Sequence, residues 1–134
     1  MSFAPYLSFS DEAREAMTTY AAIFGATDLV LMPFTQMEGA EIPPGSADMI
    51  MHAQFSTGPA QLVMGADMPG NTPNGMASPT IYHGAASPDA AAQVFAALSE
   101  GGHVILPLGQ TFWSSCFGMV KDRFGTTWMI TLAA

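Results

Sequence analysis

In the segment Met49-Ile50-Met51-His52-Ala53-Gln54-Phe55, an imidazole stands two residues before a carboxamide, and the alternation of a strand puts both on one face. A histidine so placed can serve as a general base, a hydrogen-bond partner for a bound molecule or a metal ligand; it can equally be a hydrogen-bonded structural residue. His52 is the candidate catalytic residue and Gln54 a candidate ligand-binding residue. No carboxylate stands at a fixed spacing to orient the ring. Tyr82 and His83 adjoin on one strand, so only one of them can face a ligand, and Tyr82 is taken as that one. Tyr6 and Trp113 complete the expected ligand-binding set, although Trp113 and Phe112 could equally cap a core. His103 follows Gly101-Gly102 and reads as a loop or strand-start residue. The single cysteine, Cys116, has no disulfide partner in the chain and lies among apolar neighbours, which suits a buried structural thiol better than an activated thiolate. The eleven methionines, Met49, Met51, Met64 and Met119 among them, read as adaptable core filler, because no close Met and His cluster suits copper.

These side chains need strands and helices to hold them. Phe3-Ala4-Pro5-Tyr6-Leu7-Ser8-Phe9 alternates as a strand does, with Phe3, Leu7 and Phe9 on one face and Tyr6 and Ser8 on the other. Ser10 is placed to cap a helix with Asp11 and Glu12 in its first turn, Ala13, Met17, Tyr20, Ala21 and Phe24 as its apolar stripe and Gly25 as its stop. Strands are predicted at 28–37, 49–55 and 61–65, with a turn at 56–59 and a loop at 38–46. After a turn-rich linker the pattern restarts: a strand at 80–86, a helix opened by Ser87-Pro88-Asp89 and closed by Gly101-Gly102, then strands at 103–106, 116–121 and 127–132. Ser10 and Ser87 lie 77 residues apart and Gly25 and Gly101 lie 76 apart, so the spacing implies a duplicated unit. The expected fold is α+β: two tandem βαβββ modules, about 1–67 and 79–134 joined by a linker at 68–78, forming one domain of curved mixed sheets around a cleft.

Composition narrows the functions. The net charge is −8 and Arg14, Lys121 and Arg123 are the only strong cations, so phosphate-rich nucleic acid is excluded as a partner. Charged residues make up 10% of the chain and hydrophobic ones 49%, a balance that points to a homodimer interface. No apolar stretch reaches the roughly 20 residues a membrane helix needs, and Met1-Ser2-Phe3-Ala4-Pro5 lacks the features of a secretory signal; a cytoplasmic location is expected.

Five segments together resemble the PhnB-like branch of the vicinal-oxygen-chelate (glyoxalase-like) superfamily: Pro5 to Phe9, Tyr20 to Gly25, His52-Ala53, Leu62 to Asp67 and, the most specific, Trp113 through Ile130. Members of that branch carry labels such as ubiquinone methyltransferase, yet no glycine loop suited to S-adenosylmethionine follows the first strand. The resemblance implies a divalent metal held by His and Glu residues from the first and last strands of each module, there to polarise vicinal substrate oxygens or activate oxygen. Here Pro5 or Tyr6, Ile81 or Tyr82, and Met129 stand near those places, so no metal ligands are assigned and no cofactor is expected. The resemblance therefore implies a small-molecule-binding protein with Tyr6, His52, Gln54, Tyr82 and Trp113 lining its cleft. The alternatives are a divalent-metal lyase, isomerase or dioxygenase built on His52, and a non-catalytic binding or resistance protein.

Overall fold

A computed structural model describes residues 4–36, 48–59, 61–67, 79–111 and 114–133. Phe3, the expected loop at 38–46, the linker at 68–78 and the Phe112-Trp113 pair lie outside the described residues. The chain divides into two compact units, Met1–Ala77 and Ser78–Ala134. Each is described by itself.

In the first unit β1 (Tyr6–Phe9) leads into α1 (Ala13–Ile23), then β2 (Val30–Pro33), a short 3-10 turn (Phe34–Gln36), β3 (Ile50–Gly58) and β4 (Gln61–Asp67). The second unit repeats the order with β5 (Thr80–Ala85), α2 (Pro88–Ser99), β6 (His103–Gly109), β7 (Phe117–Lys121) and β8 (Thr127–Leu132). The sheets are ordered β1-β4-β3-β2 and β5-β8-β7-β6. In each, the outer pair β1–β4 or β5–β8 is parallel and the other pairs are antiparallel. Two mixed four-stranded sheets, each with one helix, are the two βαβββ modules expected from the repeat.

The helix covers one face of each sheet because alternation gathers the apolar side chains there. Leu7, Phe9, Ala53 and Phe55 are buried beneath the α1 stripe of Ala13, Ala16, Met17, Tyr20 and Ala21. Complete burial of side chains such as Leu7 and Phe55 contributes roughly 1.5–3 kcal/mol each. Gly65 permits this approach: a Cβ there would lie 3.1 Å from Met17 Sδ and 3.2 Å from Leu7 O. In the second unit Val120, Trp128 and Ile130 form the corresponding layer, with Ala91 and Leu98 of α2 buried against the sheet. Gly118 is tighter still, since a Cβ would lie 2.8 Å from Phe95 Cε2 and 2.9 Å from Leu108 Cα.

Both helices stop at a left-handed glycine, Gly25 (φ 68) and Gly101 (φ 72), as the sequence predicts. Their starts differ. Ser87 caps α2, its Oγ accepting from Ala90 N at 3.1 Å. Ser10 does not cap α1: Asp11 turns the chain at φ 63, the helix begins at Ala13, and Glu12 occupies the cap position without a side-chain cap bond. The acceptor comes from a distant strand instead. The buried carboxylate of Asp67, at the end of β4, accepts from Ala13 N and from Ile50 N, each at 2.9 Å. An ionised acceptor at the positive end of the helix is stronger than a neutral hydroxyl, and it also pins the first residue of β3.

The second unit has its own buried carboxylate. Asp122 Oδ1 accepts from Phe124 N (2.9 Å) and Thr126 N (3.0 Å), and Oδ2 from Trp128 Nε1 (2.8 Å). Gly125, at φ 95, completes the turn before β8, its N–H donating to Asp122 O at 3.1 Å. At the far edge of this sheet runs β6, where Val104 and Ile105 are exposed, Pro107 interrupts the donors, and the pairing with β7 shifts register twice between Val104 and Gly109. Among the described residues no helix is long and apolar enough to cross a membrane.

Candidate functional site

On the face of the first sheet opposite α1, register fixes one row of side chains. Tyr6 on β1 pairs with Met64 on β4, Met64 with Gln54 on β3, and Gln54 with Val30 on β2; Met32 pairs with His52. Alternation puts His52 and Gln54 here because Ala53 and Phe55 are drawn under the helix. Tyr6 is 47% exposed, so its hydroxyl can reach across β4.

That reach produces a continuous polar chain. Tyr6 Oη lies 3.1 Å from His52 Nδ1, and His52 Nε2 lies 2.9 Å from Gln54 Oε1. The Tyr6 and His52 rings are tilted by 39° with centroids 5.7 Å apart. The amide oxygen of Gln54 can only accept, so the proton between it and Nε2 belongs to the imidazole. A neutral ring carrying its proton on Nε2 has a bare Nδ1, which accepts from the Tyr6 hydroxyl. Both ring nitrogens are thus engaged, and the chain ends in the lone pairs of Tyr6 Oη and the amide nitrogen of Gln54. Around it lie Met64, Met32 and Val30, apolar and polarisable.

The remaining sequence candidates sit elsewhere. Tyr82 pairs with Met129 and is 67% exposed, on the face of the second sheet opposite α2. His83 pairs with the fully buried Ile130 and faces the helix side. Burial there holds its imidazole below the ordinary value of 6.5. His103 is the exposed first residue of β6. Trp113, expected as a ligand contact, lies outside the described residues. Cys116 is half-buried, not buried as expected: it stands just before β7, where Ser114 Oγ accepts from its N–H and the Ser114 and Thr131 hydroxyls donate to its carbonyl, so its place is set by backbone hydrogen bonds and not by enclosure of the thiol. What sequence reasoning did not supply is the link from Tyr6 to His52: strand order is absent from periodicity, whereas the His52–Gln54 bond was signalled by their spacing of two.

The same registers test the metal site that the resemblance implies. The first and last strands of each unit oppose Tyr6 to Met64 and Tyr82 to Met129. Phenol and thioether are poor donors for a hard divalent ion, and among the described residues no group of three or more His, Cys, Asp or Glu could hold a metal. The described residues at these positions do not fit the superfamily's metal.

A family model described as 3-demethylubiquinone-9 3-methyltransferase matches residues 1–131. The chain belongs to this PhnB-like family of the vicinal-oxygen-chelate superfamily. It is 36% identical to protein PA1353 of Pseudomonas aeruginosa, whose crystal structure matches with a TM-score of 0.87 over 98% of this chain and 97% of that one. Protein YjdN of Escherichia coli is 28% identical, covering 98% of this chain and 95% of its own. A PhnB protein from Bacillus cereus is 26% identical with a TM-score of 0.72, over 99% of this chain and 100% of that one. Glyoxalase-related proteins share the fold. The methyl transfer in the family's description finds no glycine-rich loop after β1, which runs directly through Ser10-Asp11-Glu12 into α1.

Proposed function

We propose that this PhnB-like protein binds a small, largely neutral molecule on the open face of its first unit, with Tyr6, His52 and Gln54 as the polar contacts and Met32, Met64 and Val30 as the apolar bed. The observation that carries this reading is the connected Tyr6–His52–Gln54 chain set among apolar side chains. A few placed polar groups in apolar surroundings are the usual composition of a small-molecule site. The scarcity of cations argues against a multiply charged ligand. Tyr82 on the second unit is a further candidate contact, exposed and beside Met129.

A set of neutral aromatic fragments titrated into labelled protein tests this reading through backbone amide shifts in NMR. The shifts are expected to centre on Tyr6, His52, Gln54 and Met64 and to weaken about tenfold in His52→Ala, the order of one or two lost hydrogen bonds. A map centred elsewhere overturns it. We further propose a homodimer, supported by the low charge and by exposed Val104 and Ile105 on β6. Light scattering that gives a monomer at micromolar protein removes that proposal.

A further inference from the structure

The hydrogen-bond chain has a direction, and the direction specifies a ligand class. We propose that Tyr6, His52 and Gln54 form a proton relay whose ligand-facing end is the Tyr6 hydroxyl, and that it takes a neutral weak acid, a phenol or enol, and ionises it on binding. This deepens the reading above and rests on it.

Each step follows from the donors and acceptors already described. Gln54 Oε1, 2.9 Å away, fixes a proton on His52 Nε2 and leaves Nδ1 as the acceptor of the Tyr6 proton at 3.1 Å. His52 cannot offer a nitrogen to a ligand without breaking one of these bonds. The group that meets the ligand is therefore the oxygen of Tyr6, whose lone pairs accept a ligand O–H. As that O–H breaks, its electron pair stays on the ligand oxygen and the proton bonds to Tyr6 Oη; the original Tyr6 O–H breaks and its proton bonds to Nδ1. The products are a ligand anion, an intact tyrosine and an imidazolium whose Nε2–H stays on Gln54 Oε1. Total charge is unchanged, and no oxidant, reductant or metal takes part.

The electrostatics of the chain favour a neutral acid over a preformed anion. A protein of net charge −8 repels an anion on approach, whereas an acid that ionises in place generates its own counter-cation on His52. On the strands of this sheet no other titratable side chain shares this face. β4 and β2 bring Leu62, Met64, Val30 and Met32; Asp67 sits on the opposite face against α1, and Asp28, before β2, is engaged with Ser56 further along β3. Tyr6 acts on the ligand; His52 and Gln54 act through it, as positioning residues and proton store.

Nitrogen NMR of the His52 ring and the absorbance of 4-nitrophenol test the relay. In ligand-free protein near neutral pH, Nε2 is expected to be protonated and Nδ1 bare. Adding 4-nitrophenol in a buffer below its own ionisation should raise the yellow phenolate band and protonate both ring nitrogens. In Tyr6→Phe the nitrophenol should still bind but with a phenolate fraction about tenfold lower, the order of one lost charge-assisted hydrogen bond. The proton on Nδ1 in the free protein overturns the relay while leaving the fragment map, and with it the binding reading, intact. Nitrophenol that fails to bind, binds un-ionised, or ionises equally in Tyr6→Phe also overturns it. A fragment map centred away from Tyr6 removes both proposals together.

Discussion

The two units share a fold and differ in what their open faces carry. In the first, register aligns Tyr6, Met64, Gln54 and Val30; in the second it aligns Tyr82, Met129, Met119 and Leu106. Tyrosine faces methionine across the parallel pair in both. One strand further in, Gln54 is answered by Met119, and two residues earlier His52 is answered by Phe117. The duplication thus preserved the frame and the Tyr–Met pairs, while polar chemistry stands on β3 and not on β7. A backbone repeat constrains which positions share a face; it does not constrain what those positions do.

The buried carboxylates offer the largest way to challenge this comparison. Asp67→Ala should strand the amides of Ala13 and Ile50, and Asp122→Ala those of Phe124 and Thr126 together with the Trp128 indole. Each is expected to cost about 2–4 kcal/mol in urea unfolding. Equal stability to wild type would mean that water replaces these acceptors without penalty. Next comes packing: Gly118→Ala should cost about 1–3 kcal/mol, because its Cβ meets the backbone at Leu108 as well as the Phe95 ring. The helix starts give a smaller contrast. Ser87→Ala should cost about 1 kcal/mol and Ser10→Ala less than about 0.5. Equal losses would overturn the assignment of the α1 cap to Asp67.

Replacing His52 by Phe and Gln54 by Met gives β3 the residues of β7. The double variant should fold with stability within about 1 kcal/mol of wild type, since the face is partly exposed, and should no longer ionise 4-nitrophenol. Retained ionisation would place the chemistry elsewhere. The smallest effect concerns His83. Its folded-state imidazole is held by burial below the ordinary 6.5, so as pH falls through 6.5 the unfolded chain takes up a proton that the folded chain resists. Stability is therefore full above that value and declines as pH drops toward the folded pKa. A urea midpoint measured from pH 7.5 to 5.5, with the pH values as about one unit either side of 6.5, should fall less in His83→Gln than in wild type.

Much of the frame was legible in the chain because burial enforces periodicity. Leu7 and Phe9 against Tyr6, or Ala53 and Phe55 against His52, announce a covered and an open face before any strand pairing is known. Gly25 and Gly101 mark helix ends because a left-handed residue is cheapest there. The errors fall where distant residues decide. Ser10 looked like a cap because the competing acceptor, Asp67, is more than fifty positions away. β4 runs on to Asp67 and β6 through Pro107 to Gly109, since a pairing partner can carry a strand past residues that locally suggest a turn. In the same way alternation placed His52 beside Gln54, yet Tyr6 became its neighbour only through the strand order β1-β4-β3.

The construction of β6 has one more consequence. Val104 and Ile105 stand exposed on an edge, an arrangement that invites further chains to add on and grow into fibrils. Pro107 withholds a donor and the two register shifts bend the edge out of line, so its backbone is a poor template for ladder growth. The edge therefore offers a neighbour the side chains of Val104 and Ile105 rather than a straight row of backbone donors and acceptors.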